Sequence, residues 1–353
     1  MSLSTFLRHA DVKGRFAQEF PKPRFSLKKE MVAPPMTKRY SLVGTAFDYV
    51  LRFYVERLNP TAVTRTWVAE TAVWVLSPHM VIDGETRQVV SFTENALTKK
   101  AQRIVERAKQ AHLDYLCSGE MGDEVLESCL LLAQLDPIVR AGYVDENLGT
   151  VYKEDVVDLR NLASGVDPSL FQAKRLCVLN PTFGEASVLV GGADADLVID
   201  DTLIDVKTTK SLRLSRAYVN QLIGYYILFR IGGGGVFALK RIDEVDNFLE
   251  RAGLEVVEWQ GDHYVIDPVA SNRQGAPYDF EPWIAAARIE RLGIYYSRHA
   301  ELYTFPVEDI VDQQRLPAVM EWFKQRAASC NPRRAHQGQL RRARGHRDLG
   351  TSR

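Results

Sequence analysis

The chain has 353 residues, with 45 Lys plus Arg against 45 Asp plus Glu, so no global field draws it to nucleic acid and any such binding needs a local patch. Its longest apolar runs fall short of a membrane span, and its start lacks the apolar core of a signal peptide. Four cysteines at 117, 129, 177 and 330 form no CxxC pair, which argues against a zinc site or a disulfide framework and fits a reducing cytoplasm.

Residues 1–40 are basic, with prolines at 21, 23, 34 and 35. Phe6 to Phe20 has helical character. The segment reads as a solvated, partly ordered arm, with a DNA-contacting arm as the sharper alternative. Ser41 to Leu58 reads as a helix capped by Ser41, with Leu42, Ala46, Tyr49, Val50, Phe53 and Leu58 in a rough apolar stripe. Asp48 lies among apolar neighbours; on spacing it is a surface acid of that helix or an inward one. Residues 61–170 read as a mostly helical block, with helices over Glu94 to Leu116, Gly122 to Val139 and Glu154 to Leu162.

Strand composition returns from residue 171: Leu176 to Leu179, Ser187 to Val190, then Gly191 to Lys210, read as GGADADLVIDDTLIDVKTTK. The last stretch predicts a hairpin. Asp200-Asp201 forms a two-residue turn between Leu197-Val198-Ile199 and the run from Leu203 to Val206. Counting back from the turn pairs Ile199 with Thr202 and Leu197 with Ile204, and sets Asp196 opposite Asp205. Like charges so placed destabilise a sheet, which suggests a cation between them. Strand alternation puts Asp205 and Lys207 on one face. Two acids and an amine together suit metal-assisted attack on a phosphate. In the same register Asp194 faces Lys207 as a cross-strand ion pair.

Ser215 to Phe229 reads as a helix capped by Ser215, with Gln221 and Tyr225 one turn apart on one face. Lys210, Arg213 and Arg216 recur every third residue at its start. They form either a solvated turn or a set of phosphate contacts at a helix N-terminus. Strands are expected at Val236 to Leu239, Glu255 to Trp259 and His263 to Ile266. A hairpin of Leu292 to Ser297 with Glu301 to Phe305 follows, with His299 at its turn, then a helix from Pro306 to Ala327. Residues 328–353 are Arg-rich and read as a disordered tail with nonspecific phosphate affinity.

The order Asp196–apolar run–turn–apolar run–Asp205–x–Lys207, followed by a helix carrying Gln221-x-x-x-Tyr225, resembles the PD-(D/E)XK nuclease superfamily, and most closely its RecB-like branch. The resemblance covers about 41–60 and 172–230. It implies a restriction-endonuclease-like α/β fold: a mixed central sheet flanked by helices, with a helical insertion. The nuclease core is then 41–60 plus 171–327, and 61–170 is the insertion. It also implies catalytic roles for Asp196, Asp205, Lys207, Gln221 and Tyr225. Mg²⁺ or Mn²⁺ is then held by Asp196, Asp205, the carbonyl of Val206 and Asp48. That branch carries Gly-Thr-x-x-His on its early helix. Here the chain has Gly44-Thr45-Ala46-Phe47-Asp48, so Asp48 stands where the His would be, and Glu56 and Glu185 are the other candidates for a third ligand. Some members hold an iron–sulfur cluster on four cysteines; only Cys330 lies near the end of this chain, so none is expected. The expected function is metal-dependent hydrolysis of DNA phosphodiesters, in repair or in phage-related defence, with nothing in the motif separating DNA from RNA. The alternative is a catalytically silent nucleic-acid-binding or assembly module. A third idea, a nucleotidyltransferase using Asp194-x-Asp196, lacks the upstream Gly-Ser element such enzymes carry.

Overall fold

The structure is a computed structural model. It describes residues 2–64, 66–76, 80–82, 89–92, 95–232, 240–242, 255–259, 262–266 and 287–330, with the backbone alone for the strands between 80 and 92 and between 240 and 266 and for Glu185. The expected strand at Val236 to Leu239 and the Arg-rich tail after Cys330 lie outside the described residues.

The centre is a five-stranded mixed sheet. It is built from β3 (Cys177–Leu179), β4 (Leu197–Ile199), β5 (Thr202–Lys207), β9 (Arg291–Tyr296) and β10 (Glu301–Pro306), in the order β10-β9-β5-β4-β3. Only β5 and β9 run parallel. The hairpin register is the counted one: Ile199 pairs with Thr202 and Leu197 with Ile204. The turn works because Asp200 takes a left-handed conformation (φ 53°), which Asp tolerates better than most residues. Its carboxylate accepts the N–H groups of Lys174, Arg175 and Leu176. These bonds outweigh the cost of burial and hold its pKa below the usual carboxylate value.

Helices cover both faces, because strand residues alternate sides. One face carries Val178, Val198, Leu203, Leu292 and Ile294. It packs on α1 (Leu3–Phe6), α2 (Ala10–Glu19), α9 (Arg216–Ile231) and a final helix, α10 (Leu316–Cys330). The other face carries Cys177, Leu179, Leu197, Ile199, Ile204 and Tyr295. It packs on α3 (Tyr40–Leu58), α4 (Val68–Val75), α5 (Ala96–Ser118), α6 (Asp123–Arg140) and α7 (Lys153–Ser164). A β1–β2 ribbon (Met80–Ile82, Val89–Phe92) and a β6-β8-β7 sheet (Lys240–Ile242, Asp262–Ile266, Glu255–Trp259) complete the strands. The fold is therefore mixed α/β, a five-stranded mixed sheet flanked by helices. Among the described residues no helix is long and apolar enough to cross a membrane.

Four expectations need correction. Residues 2–20 are not a solvated arm: Leu3, Phe6, Leu7, Val12, Phe16 and Phe20 are buried in the core, and Phe6 meets Phe323 edge to face, while residues 21–39 run without helix or strand and are mostly exposed or half-buried. Burying each such side chain is worth about 1.5–3 kcal/mol, enough to order a segment whose charge reads as loose. Ser187 to Val190 is not a strand, since α8 (Glu185–Leu189) occupies it. The Ser187 hydroxyl accepts from Phe183 N–H and donates to the Ala193 carbonyl, closing a tight loop. Ser41 does not cap α3; the helix begins at Tyr40 with Arg39 at the cap position and no side-chain cap bond. The expected Pro306 to Ala327 helix is a short 3₁₀ turn, then α10 from Leu316.

Candidate active site

The C-terminal end of β5 opens on a cleft of about 900 Å³. Its wall is built by α3, by the C-terminal end of α6, by the segment before β4 and by α9. Asp48, Asp136, Arg140, Asp194, Asp196, Asp205, Val206, Lys207, Gln221 and Tyr225 all line it. The fold thus brings together Asp48, Asp196, Asp205, Lys207, Gln221 and Tyr225, read separately from two stretches of sequence over 130 residues apart.

Each group has an identifiable support. Asp205 is 1% exposed, and its Oδ2 lies 2.6 Å from Lys207 Nζ. That contact is a buried, charge-assisted ion pair. Lys207 Nζ donates to Gln221 Oε1 at 3.1 Å. Gln221 Nε2 in turn donates to the Tyr225 hydroxyl at 2.9 Å. The helix motif therefore orients the lysine: positions 221 and 225 share a face, and Gln is the one side chain there that both accepts from an ammonium and donates onward. The Tyr218 ring lies 5.2 Å from Lys207 Nζ. Asp196 accepts the backbone N–H of Val206 at 2.5 Å, which ties the first acid to the strand bearing the second. Asp48 pairs with Arg52 one turn along α3, at 2.7 Å.

The electrostatics are those of crowded acids. Burial drives the Asp196 pKa well up, and the charges of Asp48 and Asp205 add to it, against relief from Lys207 and the Val206 N–H. Burial also raises Asp205, with Lys207 opposing and Asp48 adding. For Lys207 burial disfavours the charge, yet Asp205 and Asp196 outweigh it and its pKa rises. Tyr225 is held neutral by burial and by the neighbouring Asp205, Asp196 and Asp194.

Among the described residues no three Asp, Glu, His or Cys side chains converge closely enough to hold a metal ion as they stand. Each acid has turned to its nearest donor: Asp48 to Arg52, Asp196 to the Val206 amide, Asp205 to Lys207. The chemistry of the set nonetheless fits a hard divalent cation. Its donors are oxygens, and burial together with neighbouring carboxylate charge raises the cost of ionising Asp196 and Asp205, which a cation would relieve.

Other expected residues fall elsewhere. Asp194 does not pair with Lys207. Its strand segment bridges Thr182, and its carboxylate takes both terminal nitrogens of Arg140, at 2.7 and 3.2 Å. Arg140 comes from the helical block, and no motif marks it; the signal available was an Arg closing a helix opposite unpaired acids. Glu56 does not line the cleft and lies against His112 Nε2 at 3.1 Å, so it is not placed to be a third ligand, and the Glu185 side chain lies outside the described ones. Arg216 is not a free phosphate contact: its guanidinium donates to the carbonyls of Phe16 and Phe20 at 2.5 and 2.7 Å, fixing the end of α2. Lys210 donates to the Tyr40 hydroxyl at 2.9 Å, and Arg213 is exposed.

Comparison of the chain with protein-family models, with curated proteins and with solved structures finds no match to any of them.

Proposed function

We propose that the chain is a divalent-metal-dependent nuclease of restriction-endonuclease-like fold, hydrolysing phosphodiester bonds of DNA. The observation that carries this is the convergence, at the floor of one open cleft, of Asp196, Asp205 and Lys207 with the Gln221–Tyr225 pair behind them. Asp196, Asp205 and the Val206 carbonyl would hold Mg²⁺ or Mn²⁺, with Asp48 close enough to feel their charge. A metal there supplies a water of lowered pKa and a positive charge beside the scissile phosphate.

The protein's own groups do the rest. Lys207 carries its charge in a nearly buried position, where an ammonium stabilises phosphoryl oxygens far better than in water. Gln221 fixes that ammonium's direction by accepting a hydrogen bond from it, and Tyr225, accepting from Gln221 Nε2, holds Gln221 in register. With a cation held by Asp205, the Lys207 ammonium would no longer be needed to neutralise that carboxylate and, still held by Gln221, would be available to substrate oxygens. The Val206 amide keeps Asp196 aimed along the strand end.

One observation favours a second reading, a silent DNA-binding module: Asp48 and Asp205 each already have a basic partner. A cleavage time course on linear and circular DNA with Mg²⁺, with Mn²⁺ and with EDTA decides between them. Metal-dependent loss of substrate that Asp205→Asn abolishes supports the nuclease; DNA binding without cleavage under every metal condition supports the silent module. Survival of the circle while the linear DNA disappears identifies an exonuclease.

A further inference from the structure

A second cleft of about 790 Å³ adjoins the first. The two share Tyr40, Ser41 and Thr45, the first turns of α3, so one groove passes over the start of that helix. Beyond α3 its lining includes Lys38, Arg39, Tyr143, Val144 and Tyr152. Exposed large apolar side chains concentrate here: Tyr40 is 43% exposed, Tyr143 58%, Val144 41% and Tyr152 37%. Isolated exposed tyrosines need no explanation, but a contiguous run of them along a groove marks a binding surface.

Cations are interleaved with the rings. Lys210 Nζ sits 4.6 Å from the centre of the Tyr40 ring. The Arg39 guanidinium lies 3.7 Å from the centre of the Tyr152 ring, held there by Asp155. Lys38 adds a further charge. Asp145 and Glu146 also line the groove, so on that stretch the grip comes from stacking and not from charge.

We propose that this groove carries a single strand of DNA to the cleft at Lys207, with Tyr40, Tyr143 and the Arg39–Tyr152 stack as platforms for successive bases. The proposal rests on the nuclease reading of that cleft. Alternating rings and cations suit unpaired bases, because every base offers a face to stack on and every linker a phosphate to neutralise. A duplex buries those faces in its own stack and leaves the tyrosines nothing to meet.

The test uses the full chain with Asp205→Asn in the background to prevent cleavage, and fluorescence anisotropy with a labelled single-stranded oligonucleotide and the matching duplex. The single strand should bind at least tenfold more tightly than the duplex. Tyr143→Ala and Tyr40→Ala should each weaken single-strand binding about tenfold, and leave the duplex unaffected. Tyr143→Phe should restore tight binding, since the ring and not the hydroxyl does the stacking. Both positions are exposed, and circular dichroism checks that the variants fold. Equal affinity for single strand and duplex, or Ala variants that bind like the parent, would overturn the groove. If those variants bind normally while Asp205→Asn abolishes cleavage in the wild-type background, the groove fails and the nuclease reading stands. If they weaken binding while wild type cleaves nothing under any metal, the groove stands and the nuclease reading fails.

Discussion

Two of the places where this fold buries charge do so in opposite ways. In the turn between β9 and β10, Arg298 (1% exposed) meets Asp158 of α7 (0%) through two parallel bonds of 2.8 and 3.1 Å. It also donates to the Ala33 carbonyl, while its own carbonyl accepts the Val32 and Ala33 amides. One acid meets one base, with donors and acceptors matched. At the end of β5, burial and the charge of Asp48 raise the cost of ionising both Asp196 and Asp205, the charge of Asp205 adds to it at Asp196, and the whole opens to a cleft. A balanced, closed pair is what a fold needs to join elements; an unbalanced, open cluster costs stability and persists where something else supplies the missing charge. On the nuclease reading, the closed pair serves the fold and the open cluster serves the chemistry.

Three substitutions break that contrast, from the largest effect down. Asp205→Asn should leave no measurable cleavage and remove the rise in melting temperature that Mn²⁺ gives the wild type, since a ligand that binds only the folded state stabilises it. Differential scanning calorimetry with and without Mn²⁺ reads the second effect, and a variant cleaving at the parental rate would undo the site assignment. Asp158→Asn should act in the other direction: stability falls by about 3–5 kcal/mol because Arg298 is left buried and unpaired, while metal binding and the chemical step in the surviving folded fraction stay as they were. Urea unfolding gives the first and single-turnover cleavage the second.

Lys207→Ala should differ in kind from both. It removes charge stabilisation at the phosphate, on the order of a hundredfold in the chemical step. It leaves metal binding in place or tightens it, because a cation departs from beside Asp205 and Asp196. Calorimetric Mn²⁺ titration alongside single-turnover cleavage separates the roles. Loss of metal binding as complete as in Asp205→Asn would make the hairpin a structural ion-pair cluster, like the pair at Arg298.

How much of this was legible in the sequence follows the same division. The hairpin register and the Gln221–Tyr225 face were legible, because a strand's period of two and a helix's four-residue return are local geometry. The partners of Asp194 and Arg216 were not. Counting along the hairpin gives Lys207 as the neighbour of Asp194, but the chain before Asp196 leaves that ladder to bridge Thr182, and Arg140 arrives from a helix over fifty residues away. The buried N-terminus was hidden for a related reason: Phe6, Phe16 and Phe20 are spaced among basic residues, and only the arrival of Phe323 and α9 makes their burial worthwhile. The Asp158–Arg298 pair carried no signal at all, since a lone acid and a lone base 140 residues apart look like any others.

The smallest expected effect belongs to the turn that holds Arg298. His299 is 3% exposed, its Nδ1 is buried without a hydrogen bond, and burial together with the charge of Lys29 lowers its pKa below 6.5. The neutral ring is therefore the folded form. An unfolded chain takes up the proton first as pH falls, so the stability this residue contributes is complete above about pH 6.5 and is lost as pH drops from there through the lowered folded value. The urea midpoint of the wild type should fall between pH 7.5 and pH 5.5, with the m-value unchanged. His299→Gln, which cannot charge, should show a smaller fall over the same interval. Lys29→Met should also show a smaller fall, because it removes one of the two causes of the shift. The difference between wild type and His299→Gln isolates the histidine. Parallel pH dependences in the two proteins would place the charge sensitivity of this turn elsewhere, and the closed region would then be less sharply distinguished from the open one.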